Sequence, residues 1–344
     1  VFKNNKNLSL WLIAIFIVSG LIISWRLFLK NPPAAVNNLN KSQTANDLEG
    51  GPAAFQPVSL PALFEKDFNG SNLTLGRVIL ETDKHIRYYI TYQSGELTIS
   101  GIINVPKGEG PFPVLILNHG HIDTSVYTNG RGLRREQDFL ADNGYVVIHP
   151  DYRNHADSGK DDRDKLAVRL GYVEDVINAV YAVKNSALPF LDKENIGMFG
   201  HSMGGGITLS VLVAQPDLVD AAVLYAPVSG DMRKSFERWL ENDSASTAEI
   251  TQLYGLPNEV PDFWDNLSAE TFYQRIQAPV MIFHGTADES VPLAWSQETL
   301  ELLKTVGVEA NLIIYDGEVH EFVNRFADFM QSTKEFFDRQ LKSV

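Results

Sequence analysis

Between residues 77 and 105 apolar and polar positions alternate in three stretches, 77–81, 85–92 and 96–105, a partial period of two that predicts antiparallel edge strands. Short, mainly apolar runs follow at 114–117, 145–149, 195–199, 221–225, 280–283 and 312–315. Stretches with helical spacing of apolar residues separate them, at about 133–142, 168–185, 203–214, 294–306 and 320–341. A strand that is apolar on both faces must be covered on both faces. This alternation therefore predicts a mostly parallel central sheet flanked by helices, an α/β class.

Two segments depart from the pattern. Residues 230–277 interrupt the alternation and carry Phe236, Trp239, Tyr254, Phe263, Trp264, Phe272 and Tyr273, which predicts a small helical insertion. Residues 8–29 form an apolar stretch bounded by Trp11 and Trp25, with Arg26 and Lys30 beyond, long enough to cross a hydrocarbon core of about 20 residues. It reads as a transmembrane signal anchor over 1–30, with a cleaved secretory signal as the alternative; the 31–35 stretch, Asn-Pro-Pro-Ala-Ala, is a poor cleavage site. Either way the chain enters the export pathway: the expectation is a single-pass cell-membrane protein with its main domain outside the cytoplasm, or a secreted one. Residues 31–60, rich in Asn, Pro, Ala, Gly, Ser and Gln, read as a flexible tether, leaving 61–344 as the folded domain.

Net charge narrows the partners. The chain carries −14, yet its first 60 residues hold five basic and two acidic side chains, so the excess acid lies in the main domain. That disfavours nucleic acid as a ligand, and leaves contact with a membrane to the N-terminal stretch. With no cysteine, disulfides and thiol nucleophiles are excluded.

Candidate chemistry sits at the ends of the apolar runs. Gly200-His-Ser202-Met-Gly204 lies between the 195–199 run and a helical pattern, the strand–turn–helix setting in which G-x-S-x-G lifts a serine hydroxyl clear of a sheet. Asp288 follows the 280–283 run and His320 follows the 312–315 run, giving the order Ser, Asp, His. In that arrangement Ser202 attacks, His320 moves its proton, and Asp288 fixes the His320 tautomer. The loop after the 114–117 run holds His119-Gly-His121-Ile-Asp123. It fits either an H-x-H-x-D zinc pattern or a turn that points the backbone N–H of His121 at a reacting carbonyl, with the N–H of Met203 as second oxyanion donor. Tyr152, Trp239 and Trp264 are candidate pocket residues, the tryptophans as members of the aromatic insertion.

These stretches, namely His119-Gly120, Asp151-Tyr-Arg153, Gly200 to Gly205, His284-Gly-Thr-Ala-Asp288 with Val291-Pro292, and His320, resemble the α/β-hydrolase superfamily, in the branch of prolyl-oligopeptidase-like serine hydrolases and small bacterial esterases. The resemblance spans roughly residues 76–340 and implies an α/β-hydrolase fold in which 230–277 caps the serine. It implies a serine hydrolase that needs no cofactor and no metal, acting on a carboxylic ester, or alternatively on short peptides. A zinc hydrolase and a non-catalytic binding protein are the remaining alternatives.

Overall fold

A computed structural model describes residues 58–163, 168–240 and 244–342. The stretches read as a membrane anchor and most of the tether lie outside these residues; among the described residues no helix is long and apolar enough to cross a membrane.

Nine strands form one sheet: β1 (Ser71–Glu81), β2 (His85–Ser94), β3 (Leu97–Pro106), β4 (Phe112–Asn118), β5 (Val146–Pro150), β6 (Leu191–His201), β7 (Ala221–Tyr225), β8 (Val280–Gly285) and β9 (Ala310–Tyr315), in the order β1-β2-β3-β5-β4-β6-β7-β8-β9. The first three pair antiparallel and β3 joins β5 antiparallel, whereas β5-β4-β6-β7-β8-β9 is parallel throughout. This is the mostly parallel sheet that the alternation predicts, in the α/β-hydrolase architecture that the resemblance implies.

The central strands show why the apolar runs are continuous. Val114 and Ile116 of β4 point into one core with Val176, Ile177 and Leu212, while Leu115 and Leu117 point into a second with Phe199, Phe329 and Phe337. The helices Leu170–Lys184 and Met203–Ala214 cover the first face, and Arg134–Asp142 with Phe326–Leu341 cover the second. Burying both faces in this way is the main favourable term in forming the domain.

Three boundaries differ from the sequence pattern. A short helix, Leu60–Phe64, capped by Ser59, buries Leu60 and Leu63, so the folded unit begins before the expected end of the tether. Strand β1 starts at Ser71 rather than 77. The last helix starts at Phe326 rather than 320, because the buried Glu318 carboxylate accepts the backbone N–H groups of Val323 (2.6 Å) and Arg325 (2.7 Å) and holds the intervening chain as a loop. Residues 230–277 contain the helical segments Met232–Ser235, Phe236–Leu240, Ser244–Tyr254, Pro261–Leu267 and Ala269–Arg275.

Parallel pairing puts the C-terminal ends of β4, β6, β7, β8 and β9 on one edge, where open α/β sheets bind ligands. All the candidate residues that follow strands therefore emerge on the same side.

Candidate active site

Ser202 occupies the turn between β6 and the helix Met203–Ala214 with φ 55° and ψ −120°. A non-glycine residue there is outside the allowed left-handed region, a strain of about 1–3 kcal/mol that surrounding contacts must hold. They do so at the backbone. Ser202 N–H donates to Tyr225 O (3.0 Å), and Ser202 O accepts from Gly205 N (2.9 Å) and Val228 N (3.1 Å). The glycines are required by space: a Cβ at Gly204 would overlap the Asn118 carbonyl and lie 2.7 Å from His119 O, and one at Gly205 would lie 2.5 Å from Pro227 Cβ.

A cavity of about 740 Å³ opens above the turn, lined by Gly120, His121, Ser202, Met203, Trp239 and His320 among others. The close approach of Gly120, whose Cβ would sit 3.2 Å from Ser202 Cβ, places the His121 segment beside the serine. Met203 opens the helix, so its N–H has no intrahelical acceptor.

His320 reaches the cavity from the loop held by Glu318, and its Nδ1 lies 2.8 Å from Asp288 Oδ2. The Asp288 side chain is fully buried, and its Oδ1 accepts the N–H groups of Ser290 and Val291, both at 2.8 Å. Burial alone would raise this carboxyl. Hydrogen bonds from His284, His320 and the Val291 amide outweigh it and hold Asp288 well below the usual carboxylate range. His201, adjoining the serine, is also buried; its Nε2 is 3.2 Å from His320 O, and burial, then the neighbouring His320, push its pKa down to about 3.

Ser202, His320, His121 and Met203 thus meet around one space with Asp288 bonded to His320 behind its wall, and Trp239 lines the same space. Two expected pocket residues do not. Tyr152 is fully buried, its ring stacked 4.2 Å from His119 and its hydroxyl donating to His119 O, so it supports the loop from beneath. Trp264 is fully buried against Phe236 at 4.7 Å, donating Nε1–H to Gly255 O, and packs the insertion instead of facing substrate. The zinc pattern does not assemble either. The buried His119 Nδ1 lies against Gly120 O, while the exposed Asp123 accepts from Ser125; among the described residues no group of three or more His, Asp or Glu is placed to hold a metal.

Sequence reasoning missed Glu136. It lines the cavity yet is only 3% exposed, and burial pushes its carboxyl up to about 7. A signal existed: Glu136 precedes Phe139 and Leu140 by three and four residues, on the apolar side of its helix. The sequence also gives no sign of the contact between His284 and Asp288, 3.1 Å from Nε2 to Oδ2.

Comparison with known proteins gives the family and the fold. Residues 131–344 match the prolyl oligopeptidase family. The uncharacterized peptidase YtmA of Bacillus subtilis (strain 168) is 26% identical over 245 residues, covering 70% of this chain and 88% of that protein. In fold, the chain is similar to acetyl xylan esterase 1 from Thermoanaerobacterium sp. JW/SL YS485 (TM-score 0.60, 20% identity, 79% of this chain and 89% of that one). It is also similar to the Pyrococcus horikoshii acylaminoacyl peptidase (TM-score 0.62, 22% identity), covering 77% of this chain but only 43% of that longer protein.

The contact of Gly204 with the Asn118 and His119 carbonyls yields a test. Gly204→Ala should displace the helix start or the His119 loop and lower turnover by at least about 100-fold in protein that still folds, as expected for a reacting group misplaced by about 1 Å. Circular dichroism alongside kinetics checks this; a folded, fully active variant would contradict it.

Proposed function

The chain belongs to the prolyl oligopeptidase family and is a serine hydrolase, and on that premise we propose that Ser202, His320 and Asp288 cleave carboxylic esters through an acyl-enzyme. Ser202 Oγ attacks the carbonyl carbon as His320 Nε2 takes its proton. The oxyanion accepts the N–H groups of His121 and Met203, each such donor being worth about 3 kcal/mol. Collapse expels the alcohol, protonated by His320, and water then repeats the sequence to free the acid. The observation that carries the reading is the 2.8 Å bond from His320 Nδ1 to the buried Asp288, on the wall of the cavity that holds the strained serine. Trp239, T-stacked on Trp295 with ring centroids 5.6 Å apart, supports an apolar wall for the acyl or alcohol group.

A second reading, peptidase action on short peptides with a free amino terminus, is favoured by Glu136. A buried carboxyl facing the cavity is a suitable partner for a substrate ammonium, whose arrival would favour its ionised form. Membrane attachment through residues 8–29, with the catalytic unit outside the cytoplasm, is part of the proposal and rests on the apolar pattern of that stretch.

Three measurements follow. The full chain should hydrolyse p-nitrophenyl esters from acetate to octanoate, and Ser202→Ala should lose at least about 10⁴-fold in kcat; an equally active alanine variant sinks the mechanism. For the amine reading, aminoacyl p-nitroanilides with free and acetylated amino groups are compared. Glu136→Gln should erase a preference of at least about tenfold for the free amine, and a preference that is absent or survives the substitution removes Glu136 from recognition. Finally, expressed protein should stay with membranes after alkaline carbonate washing; release into the supernatant would exclude the anchor.

A further inference from the structure

Behind Asp288 lies a second, wholly buried histidine that the reaction above does not use. His284 ends β8, is 0% exposed, and fills the space between the Asp288 loop and the helix Leu293–Thr305. Its Nε2 faces two groups that only accept, Val291 O at 3.0 Å and Asp288 Oδ2 at 3.1 Å, so this nitrogen carries the proton. Its Nδ1 faces the hydroxyl of Ser296, also fully buried, at 2.7 Å.

We propose that Ser296 and His284 form a buried positioning relay for Asp288, in which the Ser296 hydroxyl fixes the Nε2–H tautomer of His284 and that N–H holds Asp288 Oδ2 in line with His320. The inference rests on the triad reading. The geometry explains why both are needed. Oδ2 is shared by two imidazoles, at 2.8 Å from His320 and 3.1 Å from His284, while Oδ1 is saturated by the Ser290 and Val291 amides. With the other tautomer, a His284 lone pair would face both Asp288 Oδ2 and Val291 O, a repulsive contact in a fully buried site. With the observed tautomer the carboxylate is stabilised from behind, which moderates its pull on the His320 proton. The other titratable and charged groups around the pair include His201, whose ring lies 4.7 Å from His320, Arg135 and Glu321 on the cavity wall, Glu318, whose carboxylate is engaged with Val323 and Arg325, and Arg238, which donates to Ser290 O and Glu289 O of the Asp288 loop.

His284→Leu removes the donor, His284→Gln can still present an N–H to Asp288, and Ser296→Ala removes the tautomer lock with little change in volume. In full-length protein with p-nitrophenyl acetate, His284→Leu should lower kcat about 10–100-fold, the scale of a hydrogen bond to a charged group, with KM changed less than about twofold. Without the opposing donor, Asp288 draws harder on the His320 proton. The acid limb of kcat/KM should therefore move to higher pH by about half a unit or more. Ser296→Ala should shift it the same way with a smaller loss, and His284→Gln should stay near wild type. The low-field proton signal of the His320 Nδ1–H bond to Asp288, read by NMR without turnover, should move in His284→Leu and Ser296→Ala but not in His284→Gln. Unchanged rate, acid limb and low-field signal in Ser296→Ala overturn the relay even if His284→Leu does not fold, as does a folded His284→Gln as impaired as His284→Leu. Failure of the triad reading shows separately, as an active Ser202→Ala, and leaves the NMR comparison standing.

Discussion

The turn at Ser202 is the constraint on which the rest of the site depends. A serine at φ 55°, ψ −120° is stable only where its neighbours give the backbone no alternative, and here they are three glycines packed against other backbone. That packing also positions a second element. Because Gly204 abuts the Asn118 and His119 carbonyls, the end of β4 is drawn against the start of the helix, and the loop it feeds, Gly120-His121, has to pass beside the serine. Asn118 Nδ2 donates to Thr208 Oγ1 (2.9 Å), which in turn donates to Gly204 O (2.9 Å), fastening the same contact with side chains. The strain at Ser202 and the location of the candidate oxyanion donors thus have one cause.

The other half of the site is assembled by a different junction. β8 and β9 pair in register to Gly285 and Tyr315, and their following loops are then cross-linked by Thr286 N–H to Tyr315 O (3.1 Å) and Ala287 N–H to Glu318 O (2.9 Å). Those bonds fix the distance between two loops that carry an acid and a base from positions 32 residues apart. Apart from His284, the surrounding imidazoles are packing groups. His119, His149 and His201 are all driven toward the neutral form chiefly by burial. His320, 14% exposed at its side chain, is by contrast the histidine joined to the carboxylate of Asp288 at the cavity wall.

Most of this framework was legible in the sequence because it is local. Each parallel strand contains an apolar run, and Ser202, Asp288 and His320 each sit just past one, so the pattern that locates the strand also locates the residue. What was not legible depends on contacts between distant segments. Periodicity places both Trp239 and Trp264 in an aromatic helical insertion, but which of them faces the cavity is decided by how its short helices pack on each other and on the sheet. Trp264 lost that competition to the core. Tyr152 sits at φ 62°, a backbone reversal that turns its ring under His119 instead of toward the cavity. The last helix starts late because Glu318 captures amides five and seven residues ahead, a bond no propensity predicts.

Ester and amide cleavage make different demands on this machinery. An activated alcohol leaves readily, whereas an amine must be protonated as it departs, so amide cleavage leans harder on an imidazolium aimed at the leaving group. An Asp288 that accepts from two imidazoles and two amides would give His320 the orientation needed for either task, so the proposed triad does not choose between them. Discrimination has to come from the walls, where Trp239 and the buried Glu136 line the same space. A hydrophobic wall separates homologous substrates by only about 10–200-fold per methylene, whereas a buried charge left without its partner penalises the wrong substrate far more. Glu136, more than the triad or the aromatic insertion, is therefore the group whose pairing would decide which of the two chemistries the cavity selects.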